Sequence, residues 1–172
     1  MKPNARVQMD QSVTELERAK LVKPNPGATW CASAHMVPKP GGKPGEMRLV
    51  IDYRWLNACT VPIQGGMPIL EDDLRHVQGA KYFFSADFLK GFWQCPIDPS
   101  SQHYFSFMTH KGVYTPTRIP QGAVDSPLYF HAQLSNIFRE LIESKKMILW
   151  IDDVLLFANT WQEYMSIVKR FL

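Results

Sequence analysis

Cysteine is scarce in this chain. Its three residues, Cys31, Cys59 and Cys95, are odd in number, far apart and without a C-x-x-C pair. That excludes a disulfide framework or a zinc ribbon, and predicts reduced thiols behaving as small buried hydrophobes. No apolar run approaches the ~20 residues that a membrane-spanning helix needs. The polar opening Met1–Asp10 has no apolar signal-peptide core. No membrane partner is therefore expected, and the expected compartment is intracellular, the cytoplasm first. Internal repeats and low-complexity tracts are missing, so nothing points to a solenoid or a tail. The five histidines, His35, His76, His103, His110 and His131, show no metal-ligand spacing.

What is present is an ordinary globular composition, 45% hydrophobic and 20% charged over 172 residues, enough for a real core. The net charge of +3 is unevenly spread. Met1–Thr60 holds nine Lys/Arg against five Asp/Glu, a net of +4, and Val61–Leu172 holds ten against eleven, a net of −1. A basic half joined to an acidic site suits a polyanion held by one region and processed with metal ions in the other. On charge alone, a solvated surface serves equally well.

Ser12-x-x-Glu15 has the form of a capping box, predicting a short helix to about Leu21 that Lys23–Gly27 stops. Ala34–Val37 and Arg48–Tyr53 read as a β-hairpin whose long basic tip is the Gly/Pro-rich run Lys39–Gly45. Leu70–Gln78 is a helix candidate, Tyr82–Phe88 an aromatic strand broken by Gly91, and His103–Met108 with Val113–Thr117 a strand pair. Pro127–Ile142 is helical in period, with Leu128, Phe130, Leu134, Ile137, Phe138 and Leu141 apolar. Met147–Ile151 and Val154–Ala158 are apolar runs, and Trp161–Leu172 a last amphipathic helix. Strands and helices mix without βαβ alternation, which predicts an α+β domain.

The strongest local signal is Trp150–Phe157, W-I-D-D-V-L-L-F. Asp152 and Asp153 stand between two strand-like runs, so a hairpin can hold both at its turn. Adjacent carboxylates repel, and burying either without a partner is costly, unless divalent cations sit between them. Mg²⁺ prefers oxygen ligands and is normally bound by one or two carboxylates plus substrate phosphates. An idle Asp-Asp turn is the competing interpretation. Asp87 ends the strand F-F-S-A-D, where an acid does nothing for a core, although it also suits a strand-end turn former. Three acids from two strands can hold two metals roughly 3.5–4 Å apart, activating a 3′-hydroxyl and stabilising leaving pyrophosphate.

Four ordered blocks then carry a resemblance: R-L-V-I-D-Y-R-W-L-N at 48–57, K-Y-F-F-S-A-D-F-L-K-G-F-W-Q-C-P-I at 81–97, I-P-Q-G-A-V-D-S-P-L-Y-F at 119–130, and W-I-D-D at 150–153. Together they resemble the reverse transcriptases of LTR retrotransposons and retroviruses, most closely the gypsy-like group. The resemblance runs from about Lys23 to Leu172. It implies a right-hand polymerase with an antiparallel palm sheet backed by helices: an N-terminal helical extension at 1–22, fingers at about 23–80 and 98–122, and palm at about 81–97 and 123–172. It implies RNA-directed DNA polymerisation from dNTPs onto a primer on an RNA or DNA template, with two Mg²⁺ ions, or Mn²⁺ in their place. Asp87, Asp152 and Asp153 are then the catalytic metal ligands. Arg48, Lys39, Lys43, Phe88, Phe92 and Gln121 are implied for the dNTP, with Phe92 as the steric gate against a ribose 2′-hydroxyl. Asp52, Arg54, Asn57, Gly122, Pro127 and Trp150 are implied for template and primer.

Two departures stand out: Trp150 replaces the family's tyrosine, and Phe92 keeps the gate ring without a hydroxyl. Thumb, connection and RNase H segments are expected to be missing after Leu172, as in a fragment of a Pol polyprotein, a decayed copy or a truncated gene. The alternative functional reading is a catalytically silent fragment that at most binds nucleic acid. A metal-dependent phosphohydrolase is a third, with no histidine cluster to support it.

Overall fold

The computed structural model describes residues 3–67 and 69–172. Met1 and Lys2 of the expected N-terminal extension, and Pro68, lie outside them. The chain divides into two compact units: one runs to Pro62 and resumes over Phe92–Ser126, the other comprises Ile63–Gly91 and Pro127–Leu172. The fold is α+β.

The first unit is built on a five-stranded sheet in the order β1-β6-β5-β2-β3, where β1 is Val22–Pro24, β2 Ala32–Pro38, β3 Met47–Asp52, β5 Phe107–Thr109 and β6 Gly112–Pro116. The pair β2–β5 is parallel and the other pairs are antiparallel. Helix α1, Pro3–Arg18, starts well before the expected capping box, and Ser12 sits mid-helix. The reason is the stripe Ala5, Met9, Val13 and Leu16, spaced by four, four and three residues and buried throughout. Burial of that stripe outweighs a local cap signal.

The helix also ends before Lys23. Lys20 takes φ 57°, Leu21 N donates to Leu16 O at 2.9 Å, and Lys20 N donates to Glu17 O at 2.9 Å. This is a Schellman closure, and it leaves Val22–Pro24 free to pair with β6. Met9, Val13, Leu16, Val22, Ala34, Ile51, Tyr53 and Phe107 form the core. Tyr53 is buried, its hydroxyl donates to Phe105 O at 2.8 Å, and burial pushes that hydroxyl far above the ordinary phenol range.

The expected strand His103–Met108 is mostly something else. Gln102–Phe105 is a 3₁₀ turn, and only Phe107–Thr109 joins the sheet. Buried Ser106 bonds Thr115 at 2.8 Å and the His103 carbonyl at 2.8 Å, tying the bend where a straight strand was expected. Helix α2, Arg54–Cys59, follows β3 directly.

The second unit holds an antiparallel three-stranded sheet in the order β4-β8-β7, with β4 at Tyr82–Asp87, β7 at Met147–Trp150 and β8 at Asp153–Ala158. One face packs inward, with Val154, Leu156 and Ala158 almost fully buried. The helices are α3 (Leu70–Leu74), α4 (Ser126–Ile137), α5 (Arg139–Glu143) and α6 (Trp161–Phe171). The single helix expected over 127–142 is broken at Phe138, whose φ −102° and ψ 21° leave the helical region. Ile137, the last residue before the break, is 70% exposed instead of facing the core, whereas Leu141 beyond it is buried as the period predicts. Helix α6 opens with a capping box. Thr160 accepts from Glu163 N, while the Glu163 carboxylate accepts from Asn159 N at 3.1 Å and pairs with Lys146 at 2.5 Å.

The cysteines are free thiols, but Cys31 and Cys59 are exposed and Cys95 only half-buried. Their expected burial is therefore overturned: Cys31 precedes β2, Cys59 ends a helix and Cys95 lies in a bend, all outside the core cluster.

Candidate active site

Strand alternation delivers the first acid. Along β4 every second residue is exposed, so Phe83, Ser85 and Asp87 share the open face while Phe84 and Ala86 turn towards the helices. Asp87 lies directly opposite Asp153, the first residue of β8, and Asp153 in turn lies opposite Trp150, the last of β7. Ile151 and Asp152 form the two-residue turn between them. Directly paired residues project to the same face of a sheet. The register therefore gathers Asp87, Asp153 and Trp150 on the open face, with Asp152 at its rim. The Phe88 N–H donates to Asp152 O at 3.3 Å, joining the end of β4 to the turn itself.

The turn is strained. Ile151 has φ 57°, a left-handed conformation that is unfavourable for a β-branched residue. A positive φ at the first of the two turn residues, not shared by the second, is the pattern of a type II′ turn, where glycine is usual. Such strain is commonly held at functional sites by the surrounding pairing, here that of β7 with β8. Trp150 is half-buried.

Electrostatics at the turn are repulsive. The Asp152 carboxyl is raised above the ordinary carboxylate range, first by partial burial, with its own N–H opposing, and further by the charges of Asp87 and Asp153. Asp87 and Asp153 are exposed. Among the described residues no group of three His, Cys, Asp or Glu side chains forms a closed metal cage. The donor set fits a hard divalent cation nonetheless, because Mg²⁺ needs only one or two protein carboxylates when substrate phosphates complete its shell. A cation would also relieve the repulsion on Asp152.

Beneath the acids lies an aromatic cluster. Phe88 packs at 6.1 Å from Phe130, 6.1 Å from Phe138 and 6.3 Å from Phe171. Its ring is thus a packing element of the second unit, a part that the resemblance did not assign to it. Gly91 allows the close approach here, since a Cβ on it would stand 2.6 Å from Phe130 Cζ. Pro127 occupies the first turn of α4, where a missing N–H costs nothing.

The first unit carries the residues expected to meet phosphate and template. Lys39, Lys43 and Arg48 all belong to the β2–β3 hairpin. Lys39 is ion-paired with Glu46 at 2.7 Å, and Glu46 also accepts from Lys43 N at 3.1 Å. These bonds hold the Glu46 carboxyl below its usual range. Glu46 was not singled out from the sequence; its only signal there is an acid seven residues after Lys39 across a turn. Arg48 is exposed, on the outward side of β3.

Asp52 accepts from Arg54 Nε at 2.8 Å and from a second guanidinium nitrogen at 2.6 Å. The Arg54 hydrogen bonds hold its carboxyl down at about 2. Asn57 is fully engaged: its amide donates to Gly122 O at 2.9 Å and accepts from Val124 N at 3.0 Å. It clamps the loop that bears exposed Gln121. Gly122 has φ 97°, which suits glycine alone, with the Ile51 carbonyl 3.5 Å from where a Cβ would lie. Phe92 is half-buried in the 3₁₀ turn Gly91–Gln94.

The chain is similar to known proteins along almost its whole length. The sequence pattern described as reverse transcriptase (RNA-dependent DNA polymerase) matches residues 37–172. The chain is 29% identical over 169 residues to the retrovirus-related Pol polyprotein from transposon 297 of Drosophila melanogaster, covering 95% of this chain and 15% of that protein. It is 28% identical over 176 residues to the enzymatic polyprotein of cauliflower mosaic virus (strain Strasbourg), covering 99% of this chain and 25% of that one. Among solved structures, the prototype foamy virus protease–reverse transcriptase superposes with a TM-score of 0.85 at 26% identity, over 99% of this chain and 22% of that one. The foamy viral protein solved with an RNA/DNA hybrid gives a TM-score of 0.87 at 23% identity, which speaks to the fold alone. The chain thus spans a quarter or less of the length of these relatives.

Proposed function

Since this chain belongs to the reverse transcriptase (RNA-dependent DNA polymerase) family, we propose that it carries RNA-directed DNA polymerisation, transferring nucleotides from dNTPs to a primer 3′-hydroxyl on an RNA or DNA template. The observation that carries the reading is the register that sets Asp87 against Asp153 with Asp152 in the adjoining turn. Family members work with divalent metal ions. Two Mg²⁺ ions, or Mn²⁺, would supply nucleophile activation and leaving-group stabilisation when bound. Asp87, Asp152 and Asp153 would hold them. Arg48 suits bidentate phosphate contact, because its planar guanidinium is exposed on a strand. Lys43 can add charge on the same loop, and Lys39 can do so once it leaves Glu46.

Phe92 is the proposed gate and Gln121 a proposed nucleotide contact, on a loop that Asn57 keeps in shape. Asp52, Arg54, Gly122, Pro127 and Trp150 are assigned to template and primer, Asp52 and Arg54 acting as a bonded pair. The relatives are polyproteins, and the proposed context for this chain is likewise a Pol polyprotein, acting inside the cell.

Primer extension on an RNA template with dNTPs and Mg²⁺ or Mn²⁺ tests this, beside Asp152→Asn. Extension that disappears in the variant is expected. Phosphate-ester hydrolysis without extension would sink the polymerase reading.

A further inference from the structure

Helix α1 lies wholly outside the stretch that matches the family pattern, which begins at residue 37. It nonetheless grips the hairpin to which triphosphate binding is assigned. The Gln8 side chain donates from Nε2 to Gly45 O at 2.9 Å and accepts at Oε1 from Met47 N at 3.0 Å. Both ends of one carboxamide are thus spent on the backbone of a turn 37 to 39 residues away. Gly45 has φ 87° and Met47 opens β3. The bracketed residue is Glu46, which holds Lys39 and the Lys43 N–H, and the next after Met47 is Arg48.

The backbone that carries Gln8 is fixed, because its neighbour Met9 is fully buried in the core of the same unit. A second anchor sits two residues on. Asp10 pairs with His110 Nε2 at 3.1 Å and with Lys111 Nζ at 3.1 Å, fixing α1 to the β5–β6 turn. The helix is therefore held independently of the hairpin, which is what a brace requires.

We propose that Gln8 is a positioning residue for triphosphate recognition: it locks the turn end of the β2–β3 hairpin so that Arg48, Lys43 and Lys39 are presented in one fixed arrangement. The role rests on the polymerase reading. Without Gln8 the hairpin is still made, by its ladder, but its tip samples more states. A nucleotide must then pay the ordering cost on binding.

The test uses the full chain with Gln8→Met, which keeps length and removes both hydrogen bonds. Gln8→Glu keeps the acceptor for Met47 N and loses the donor to Gly45 O. Gln11→Met on the exposed side of α1 is the control. Amide hydrogen exchange at Met47 is read first, then equilibrium binding of a dNTP with Mg²⁺. Losing two net hydrogen bonds of ordinary strength predicts exchange and dNTP Kd both rising about tenfold in Gln8→Met, with Gln8→Glu intermediate and Gln11→Met unchanged. Exchange at core strand β6 stays as in the wild type.

Unchanged Met47 exchange in Gln8→Met would overturn the brace. So would faster exchange with an unaltered Kd in a chain that binds dNTP. If the unmodified chain binds no dNTP at all, the polymerase reading fails and the assigned role fails with it, while Met47 exchange still reports whether Gln8 holds the hairpin.

Discussion

The residues expected to meet substrate handle charge in opposite ways in the two units. In the first, polar groups near the expected substrate are paired: Asp52 with Arg54, Lys39 with Glu46, and Asn57 with the loop backbone. In the second, Asp87, Asp152 and Asp153 are set beside one another so that the Asp152 carboxyl is pushed up. Paired charges hold a shape, whereas gathered like charges await a counter-ion. The contrast tells scaffold from chemistry without reference to any relative.

The largest effect should come from the gathered acids. Asp152→Asn is expected to lower primer extension about a thousandfold or more, because one removed charge-stabilising group in a preorganised site costs on that order. The same change should leave the metal-free protein folded and slightly more stable, since it deletes a repelled charge. Thermal melting in EDTA checks this, and a fall in Tm would contradict the repulsion argument. The pH dependence has a definite sign. Asp152 is raised in the fold, so as pH falls towards its pKa it takes up a proton earlier than an ordinary aspartate. Metal binding, which needs the carboxylate, should weaken on that acid limb at a higher pH than in an Asp87→Asn background, where one repelling neighbour is gone. Mn²⁺ titration across the limb reads the difference.

Next in size is packing beneath the acids. Gly91→Ala drives a methyl against the buried Phe130 ring and should cost about 1–3 kcal/mol by urea unfolding. A neutral result would mean that the aromatic cluster yields more easily than its ring contacts imply.

Smaller again is the clamp in the first unit. Asn57→Ala removes two exposed hydrogen bonds and should cost about 1 kcal/mol, with faster amide exchange at Val124 as the local readout. The smallest effect is expected at Arg54→Ala. Solvent screens an exposed pair, so Tm should hardly move, while NMR titration of Asp52 should climb from about 2 towards the ordinary aspartate value. A large loss of stability would show that the first unit relies on its paired charges more than its buried core suggests.

Much of this was legible in the sequence. Alternation in F-F-S-A-D and the apolar runs flanking Asp152-Asp153 locate two strands of the acid-bearing sheet. The ordered blocks carry the family. Local signals failed where distant packing overrode them. The Ser12 capping box lost to the buried stripe of α1, and the long helix over 127–142 broke at Phe138. The block implies a nucleotide contact for Phe88, and its packing among Phe130, Phe138 and Phe171 is an addition that no local signal carries. Glu46 and Gln8 carry no motif, because their partners are backbone atoms or side chains fixed only by the fold.

The sequence alone thus determined which residues carry charge, which strands alternate and which family the blocks belong to, because residue type and period are local properties. Only the tertiary structure decided that Asp87 faces Asp153, that Ile151 is held in a left-handed turn, and that Asn57 and Gln8 spend their carboxamides on loops 65 and 37 residues away. Strand register and long-range hydrogen bonds arise from how buried faces fit together, and no window of sequence contains both partners.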